Sequence, residues 1–293
     1  MSGLPASNAL AASPNADIEQ DAASTLVMGV INVTPDSFSD GGRWFSADDA
    51  IAHGRQLLAE GADLLDVGGE STRPGAVRSS TDEELRRVLP VVRALADEAT
   101  VSVDTMRAEV AAACIDAGAR IINDVSGGLA DPEMLPLLAG CEVDYICQHW
   151  RGHGAVMNQH ANYRDVVAEV RAELVARLTA CQEAGIAASR IIADPGLGFA
   201  KGGQQDWDIL ANLDQFTMLG HRLLIGASRK RFLGAVLGDR PADERDVATA
   251  AVSVICAQAG VWAVRTHEVR GQKDAIAVAT QVARSRRPRP SRN

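Results

Sequence analysis

The chain has 293 residues, a formal net charge of −9 and a pI of about 5.2, a balance that argues against a nucleic-acid or anionic-membrane surface. Hydrophobic residues make up 46% and aromatic residues 4%, so the core should be built of Ala, Val, Leu and Ile, as in parallel sheets covered by helices. The five cysteines (Cys114, Cys141, Cys147, Cys181, Cys256) are scattered without a Cys-x-x-Cys pair, which points to reduced thiols in a cytoplasmic protein rather than to a thiolate metal site.

Residues 1–24 are rich in Ala, Ser, Asn, Pro and Asp with little apolar periodicity, and a disordered extension is expected there. The first basic residue is Arg43, so no signal peptide is expected, and no apolar run approaches the roughly 18 residues of a membrane span. Leu26–Val33 reads as a first, buried strand. It ends in the amide of Asn32 and opens a polar loop, Asn32–Gly42, that carries Asp36 and Asp40. Helical periodicity over Ser46–Glu60 leads to a strand at Leu64–Gly69, which runs into Gly68-Gly69-Glu70-Ser71-Thr72-Arg73-Pro74-Gly75. A helix over Asp82–Ala99 precedes the strand Val101–Thr105, and another over Arg107–Ala117 precedes Ile121–Val125. Tyr145–Trp150 follows, then a helix over Tyr163–Ala184 and a strand at Ile191–Pro195 that enters Gly196-Leu197-Gly198-Phe199. Leu223–Ala227 leads into Ser228-Arg229-Lys230-Arg231, and Val247–Gln258 forms a helix before the last strand, Ala263–His267. Gly61, Gly118 and Gly260 stand where helices should stop. Residues 284–293 form a basic tail, best read as a solvated end.

Strand–helix alternation gives a parallel α/β fold, and eight strands favour a closed (β/α)8 TIM barrel spanning 25–283 as one domain. The first strand is not followed by G-x-G-x-x-G, which weakens a dinucleotide-binding alternative. Every strand delivers polar groups at its C-terminal end, where barrel enzymes build their sites. An Asp that closes a strand is also good helix-capping chemistry, so the argument rests on the recurrence.

Asp104, Asn123 and Asp194 supply acceptors and one amide from three strands, a set suited to a guanidine-like edge such as that of a 2-amino-4-oxopteridine. Lys230 offers a balancing cation. Arg265 and His267, two apart on one strand, share a face. With Asn32 on the neighbouring strand they read as a pyrophosphate pocket, with Mg²⁺ as the expected helper because it takes few protein oxygens plus substrate phosphates. The competing reading of Arg265 and His267 is a rim salt link to Glu268 or Asp274. Ser228 has no evident His–Asp partner in sequence, and His149 reads as a satisfied core histidine beside Trp150. The chemistry should therefore avoid a strong base.

The segments Asn32–Gly42, Gly68–Gly75, Asp194–Phe199 and Gly226–Lys230 resemble the motifs of bacterial dihydropteroate synthases, a resemblance that runs from about Leu26 to Ala279. It implies condensation of 6-hydroxymethyl-7,8-dihydropterin pyrophosphate with 4-aminobenzoate, giving 7,8-dihydropteroate and pyrophosphate, in a homodimer with no nucleic-acid or membrane partner. It also implies residue roles. Asp104, Asn123, Asp194, Lys230 and Thr72 would hold the pterin, and Asn32 would ligate Mg²⁺. Arg265 and His267, with Asn32, would bind pyrophosphate. Thr72, Arg73, Pro74, Phe199 and Arg231 would shape the aminobenzoate site, which sulfonamides also occupy. Asp36, Arg73 and Lys230 would serve the chemical step. Two positions depart from the family pattern: Gln148 where Met is common, and Arg231 where Ser is common. The alternatives are a pterin-binding barrel of a methyltetrahydrofolate–corrinoid methyltransferase and a non-catalytic pterin-binding paralogue.

Overall fold

A computed structural model describes residues 24–34, 46–71, 78–153 and 156–286. Eight parallel strands close into a barrel in sequence order: β1 (Leu26–Asn32), β2 (Leu64–Gly68), β3 (Val101–Asp104), β4 (Ile121–Asp124), β5 (Asp144–Gln148), β6 (Ile191–Asp194), β7 (Arg222–Ile225) and β8 (Ala263–Thr266). Between and after them run α1 (Ala47–Ala59), α2 (Thr81–Leu95), α3 (Ala108–Asp116), α4 (Met134–Ala139), α5 (Val166–Glu183), α6 (Gly203–Ala211), α7 (Leu213–Thr217), α8 (Arg231–Val236), α9 (Asp246–Gln258) and α10 (Arg270–Arg286). The expected (β/α)8 barrel is the fold. Helix α10 runs to Arg286, past the 283/284 boundary drawn from composition.

Two apolar layers follow from the period-two alternation of strand side chains. One face of each strand packs outward: Val27, Leu65, Val67, Val103, Ile122, Cys147, Ala193, Ile225 and Val264 join the helices' buried faces in one large cluster. The other face fills the barrel floor with Met28, Leu64, Ile121, Ile146, Ile192, Leu224 and Ala263. Above that plug the inner residues turn polar. Asn32, Gly68, Asp104 and Asn123 lie in continuous register across β1 to β4, and Gln148 pairs with Asp194 across β5 and β6.

Local signals set the helix ends. Ser46 and Asp49 form a capping box at the start of α1, and Ser80 accepts the backbone N–H of Glu83 at the start of α2. Helix α2 ends at Leu95, before the expected Ala99, in a short turn. Helix α5 begins after its Asp165 cap, so Tyr163 lies outside it. Gly118 ends the turn after α3 at φ +107, where an added Cβ would also meet Ala96 Cβ at 2.7 Å.

Gly69, directly after β2, lets α2 lie against the strand end. A Cβ there would stand 2.6 Å from Val88 Cγ1 and 3.2 Å from the Glu84 carbonyl oxygen. Gly69→Ala is expected to destabilise the fold by roughly 1–3 kcal/mol through overpacking, read as a lower urea midpoint at unchanged slope.

Candidate active site

The inner ends of the strands form a charged cup. Asp104 on β3 is buried, and its Oδ2 accepts Arg265 Nη2 at 3.0 Å. Arg265 Nε donates to Asp66 Oδ2 at 2.5 Å, and Asn123 Nδ2 donates to the same oxygen at 3.1 Å. Burial pushes the Asp104 carboxyl up to about 7, against the pull of Arg265. On the opposite side Asp194 is buried and accepts the Gly196 N–H at 2.7 Å. Burial also raises its carboxyl above the usual range, and Lys230 opposes the shift. Burial draws the Lys230 ammonium down to about 8, with Asp194 the main force holding it up. The two cations therefore divide the work: Arg265 balances Asp66 and Asp104, and Lys230 balances Asp194. A single balancing Lys230, expected from sequence, is corrected by this arrangement, and the competing rim link is not formed, since Arg265 turns to Asp66 and Asp104. Glu268 instead accepts the Gly271 N–H at 2.9 Å.

Small residues keep the cup open. A Cβ at Gly68 would lie 3.5 Å from Asp104 Cβ and 3.9 Å from Asn32 Oδ1, so Gly68 leaves room between those two side chains. A Cβ at Gly226 would stand 3.9 Å from both Arg265 Cβ and Lys230 Nζ. Gln148, at the position where Met is common, is buried and donates to the Val125 carbonyl at 3.5 Å, making this part of the floor polar.

The loop after β6 is fixed from below. Lys201 is buried, and its Nζ donates to the Gly196 carbonyl at 2.9 Å, the Phe199 carbonyl at 3.0 Å and His149 Nδ1 at 3.1 Å. His149 Nε2 in turn meets Glu173 Oε2 at 2.9 Å. Burial and the neighbouring Lys201 depress the His149 imidazole to about 4, so the ring is neutral, accepts at Nδ1 and donates at Nε2. The same bond holds the Glu173 carboxyl down at about 2. His149 is thus a satisfied buried histidine. Lys230 Nζ donates to the Leu197 carbonyl and lies 4.8 Å from the centre of the Phe199 ring, so Lys230 and Phe199 form one wall.

At the end of β8, His267 Nδ1 and Ser228 Oγ are 2.9 Å apart, and the His267 N–H donates to the same hydroxyl at 3.1 Å. The sequence did not disclose this pair; the fold assembles it, and the hydroxyl orients the ring. Arg231 opens α8 as an exposed residue. Asp124, by contrast, organises a turn: it accepts the N–H groups of Ser126 and Gly128 and the Tyr145 hydroxyl at 2.7–2.9 Å.

The base of the second loop is held by a carboxylate pair. Glu70 accepts Arg78 Nε at 2.9 Å, the Ser79 N–H at 3.1 Å and Arg107 Nη1 at 2.8 Å. Arg107 also reaches Glu84 and the Ser79 carbonyl, and Thr105 donates to Glu84 at 2.6 Å. Thr72, Arg73 and Pro74, like Asp36 in the first loop, lie outside the described residues.

The family model for pterin-binding enzymes matches residues 28–267. The dihydropteroate synthase of Mycobacterium leprae is 51% identical over 263 residues, covering 87% of this chain and 93% of its own. The chain belongs to the dihydropteroate synthases. A solved Xanthomonas albilineans dihydropteroate synthase with 4-aminobenzoic acid is 41% identical, with a TM-score of 0.84 over 91% of this chain and 95% of that one. The same enzyme in complex with 7,8-dihydropteroate superposes with a TM-score of 0.81, at 39% identity over 91% and 96% of the two chains. In this dihydropteroate synthase the sequence reading missed Asp66, Lys201 and the Glu70–Glu84–Arg107 cluster. Asp66 carried a signal, a carboxylate inside the apolar run Leu64–Gly68; the others become legible only through partners distant in sequence.

The His149–Glu173 pair has a consequence for acid stability. His149 moves from 6.5 to about 4 on folding, so between those values the unfolded chain binds more protons and stability falls as pH falls. Glu173, held at about 2 against an ordinary 4.5, extends the loss to lower pH. His149→Gln is expected to flatten the slope of unfolding free energy against pH between about 6 and 4.5. An unchanged slope in urea titrations across that window would overturn the assignment.

Proposed function

We propose that the protein condenses 6-hydroxymethyl-7,8-dihydropterin pyrophosphate with 4-aminobenzoate. The observation that supports this reading is the set of buried polar residues that close β3, β4 and β6, Asp104, Asn123 and Asp194, with the Lys230 charge acting on Asp194. The pterin's amino and ring N–H groups would lie on these acceptors, with Lys230 on the ring's acceptor edge. The chemical step breaks the bond from the exocyclic carbon to the pyrophosphate oxygen, and the electron pair leaves with pyrophosphate. The aminobenzoate nitrogen then forms the new C–N bond and releases its proton to solvent.

Arg265 and His267, on one face of β8, would receive the departing pyrophosphate. Asp36 would sit against the cationic carbon, and Thr72, Arg73, Pro74 and Phe199 would frame the aminobenzoate; Arg231, on the exposed first turn of α8, would meet its carboxylate. Asn32 Oδ1 and Asp104 Oδ2 both lie near Gly68, and Asn32 would supply the protein oxygen to Mg²⁺, which is content with one when phosphates supply others. Bound there, Mg²⁺ would neutralise charge on the leaving pyrophosphate. The methyltransferase alternative has no use for the Arg265–His267 face, and a non-catalytic paralogue would not need it. Among the described residues no helix is long and apolar enough to cross a membrane, and the unbonded cysteines support a cytoplasmic setting.

Mixing both substrates with Mg²⁺ should release pyrophosphate in step with dihydropteroate; release without aminobenzoate, or none, would overturn the reading. Asp104→Asn and Asp194→Asn should each weaken pterin pyrophosphate binding by roughly one to two decades, since each replaces a double acceptor by a group with a donor end. Calorimetry checks this, and affinity within twofold of wild type would remove both from the pterin site.

We also infer a homodimer. Val247 and Ile255 on α9 and Val278 and Val282 on α10 are all at least 42% exposed, on two helices packed together, and such exposed apolar side chains suit a second copy. Sedimentation should find a dimer for the wild type and a monomer for Val278→Glu.

A further inference from the structure

The deepest charged group of the site has no direct place in the chemistry above. Asp66 is fully buried on β2, one inner position above the plug residue Leu64. Its Oδ2 is shared by Arg265 Nε and Asn123 Nδ2. Asn123 is 3% exposed, so its amide is fixed by the protein rather than by solvent. With Nδ2 held by Asp66, Asn123 Oδ1 points away from that carboxylate, and it has no hydrogen-bond partner among the described residues.

The two ends of a carboxamide are nearly equal in size but opposite in hydrogen-bonding sense. A half-turn of Asn123 would present a donor where an acceptor now stands. Asp66 makes that turn unfavourable, because a carboxylate accepts from Nδ2 and repels Oδ1. The guanidinium of Arg265 donates to the same oxygen, so Asp66 meets donors from both neighbours and Asn123 Nδ2 is the end that suits it.

We propose that Asp66 is a positioning residue that sets substrate specificity: it locks Asn123 with its oxygen toward the pocket, so the site accepts a pteridine edge bearing N–H groups and rejects one bearing carbonyls. This rests on the pterin reading of the pocket. The rejection arises because a carbonyl facing a fixed, buried acceptor leaves both unpaired. Asp66 acts through Asn123, as a second layer behind the groups that touch substrate.

The test uses two probes on the full chain, 2-amino-4-oxopteridine and its 2,4-dioxo counterpart, titrated calorimetrically. The wild type should prefer the amino compound. Asp66→Asn keeps the shape but offers either a donor or an acceptor to Asn123, which is then free to turn. The preference should shrink roughly tenfold or more, with the urea midpoint near that of wild type. In an Asn123→Ala background, where the amide is gone, adding Asp66→Asn should leave the preference unchanged. A ratio within twofold of wild type in Asp66→Asn would overturn the proposal, as would an equal loss of preference from Asp66→Asn in both backgrounds. A wild type that binds the amino compound without preference overturns this inference alone. One that binds neither pteridine overturns the pterin reading, and this inference with it.

Discussion

Three carboxylates, Asp66, Asp104 and Asp194, point into the closed end of a barrel floored with aliphatic side chains, and everything at the mouth depends on how their charge is balanced. Buried without partners they would be costly. Arg265 spans two of them, and Lys230 attends the third while bracing the loop after β6. Each pocket carboxylate gives one oxygen to the protein: Asp104 to Arg265, Asp194 to the Gly196 N–H. The cations are thereby placed before any ligand arrives, and so is the preorganisation that electrostatic recognition needs.

The wall residues are held by a second set of bonds that never face the pocket. Lys201 ties two carbonyls of one loop to His149 and, through it, to Glu173 on α5. Ser228 does the same for His267 between β7 and β8. In both cases a helix or neighbouring strand fixes the loop, so the rigidity of the barrel is passed to the residues at its rim.

Much of this was legible in the sequence. Apolar runs of five to eight residues separated by helical periods specify eight strands, and the polar residue closing each run marks the rim. Asp104, Asn123, Asp194 and Arg265 were found because they stand at those ends, where period two sets the face. Pairings across the barrel are another matter. Arg265 meets Asp66 at a separation of 199 residues and Asp104 at 161, and no local pattern says which carboxylate a cation will choose. Glu268, the competing local partner for Arg265, accepts the Gly271 N–H instead. The Ser228–His267 contact escaped for the same reason. Asp124 shows the converse: it resembles its neighbour Asn123 in sequence, yet one step along a strand turns it outward to serve a turn.

Glu70 receives bonds from Arg78 and Ser79, so the segment between Ser71 and Arg78 leaves and returns at a single carboxylate, itself braced by Arg107. Its two ends are stapled together independently of its contents. Lengthening such a closed segment costs little, about 0.6 kcal/mol for each doubling, and the barrel does not register the change. The barrel frame is thus closed at this point by Glu70 and Arg107, whose bonds do not depend on the length of the segment between Ser71 and Arg78.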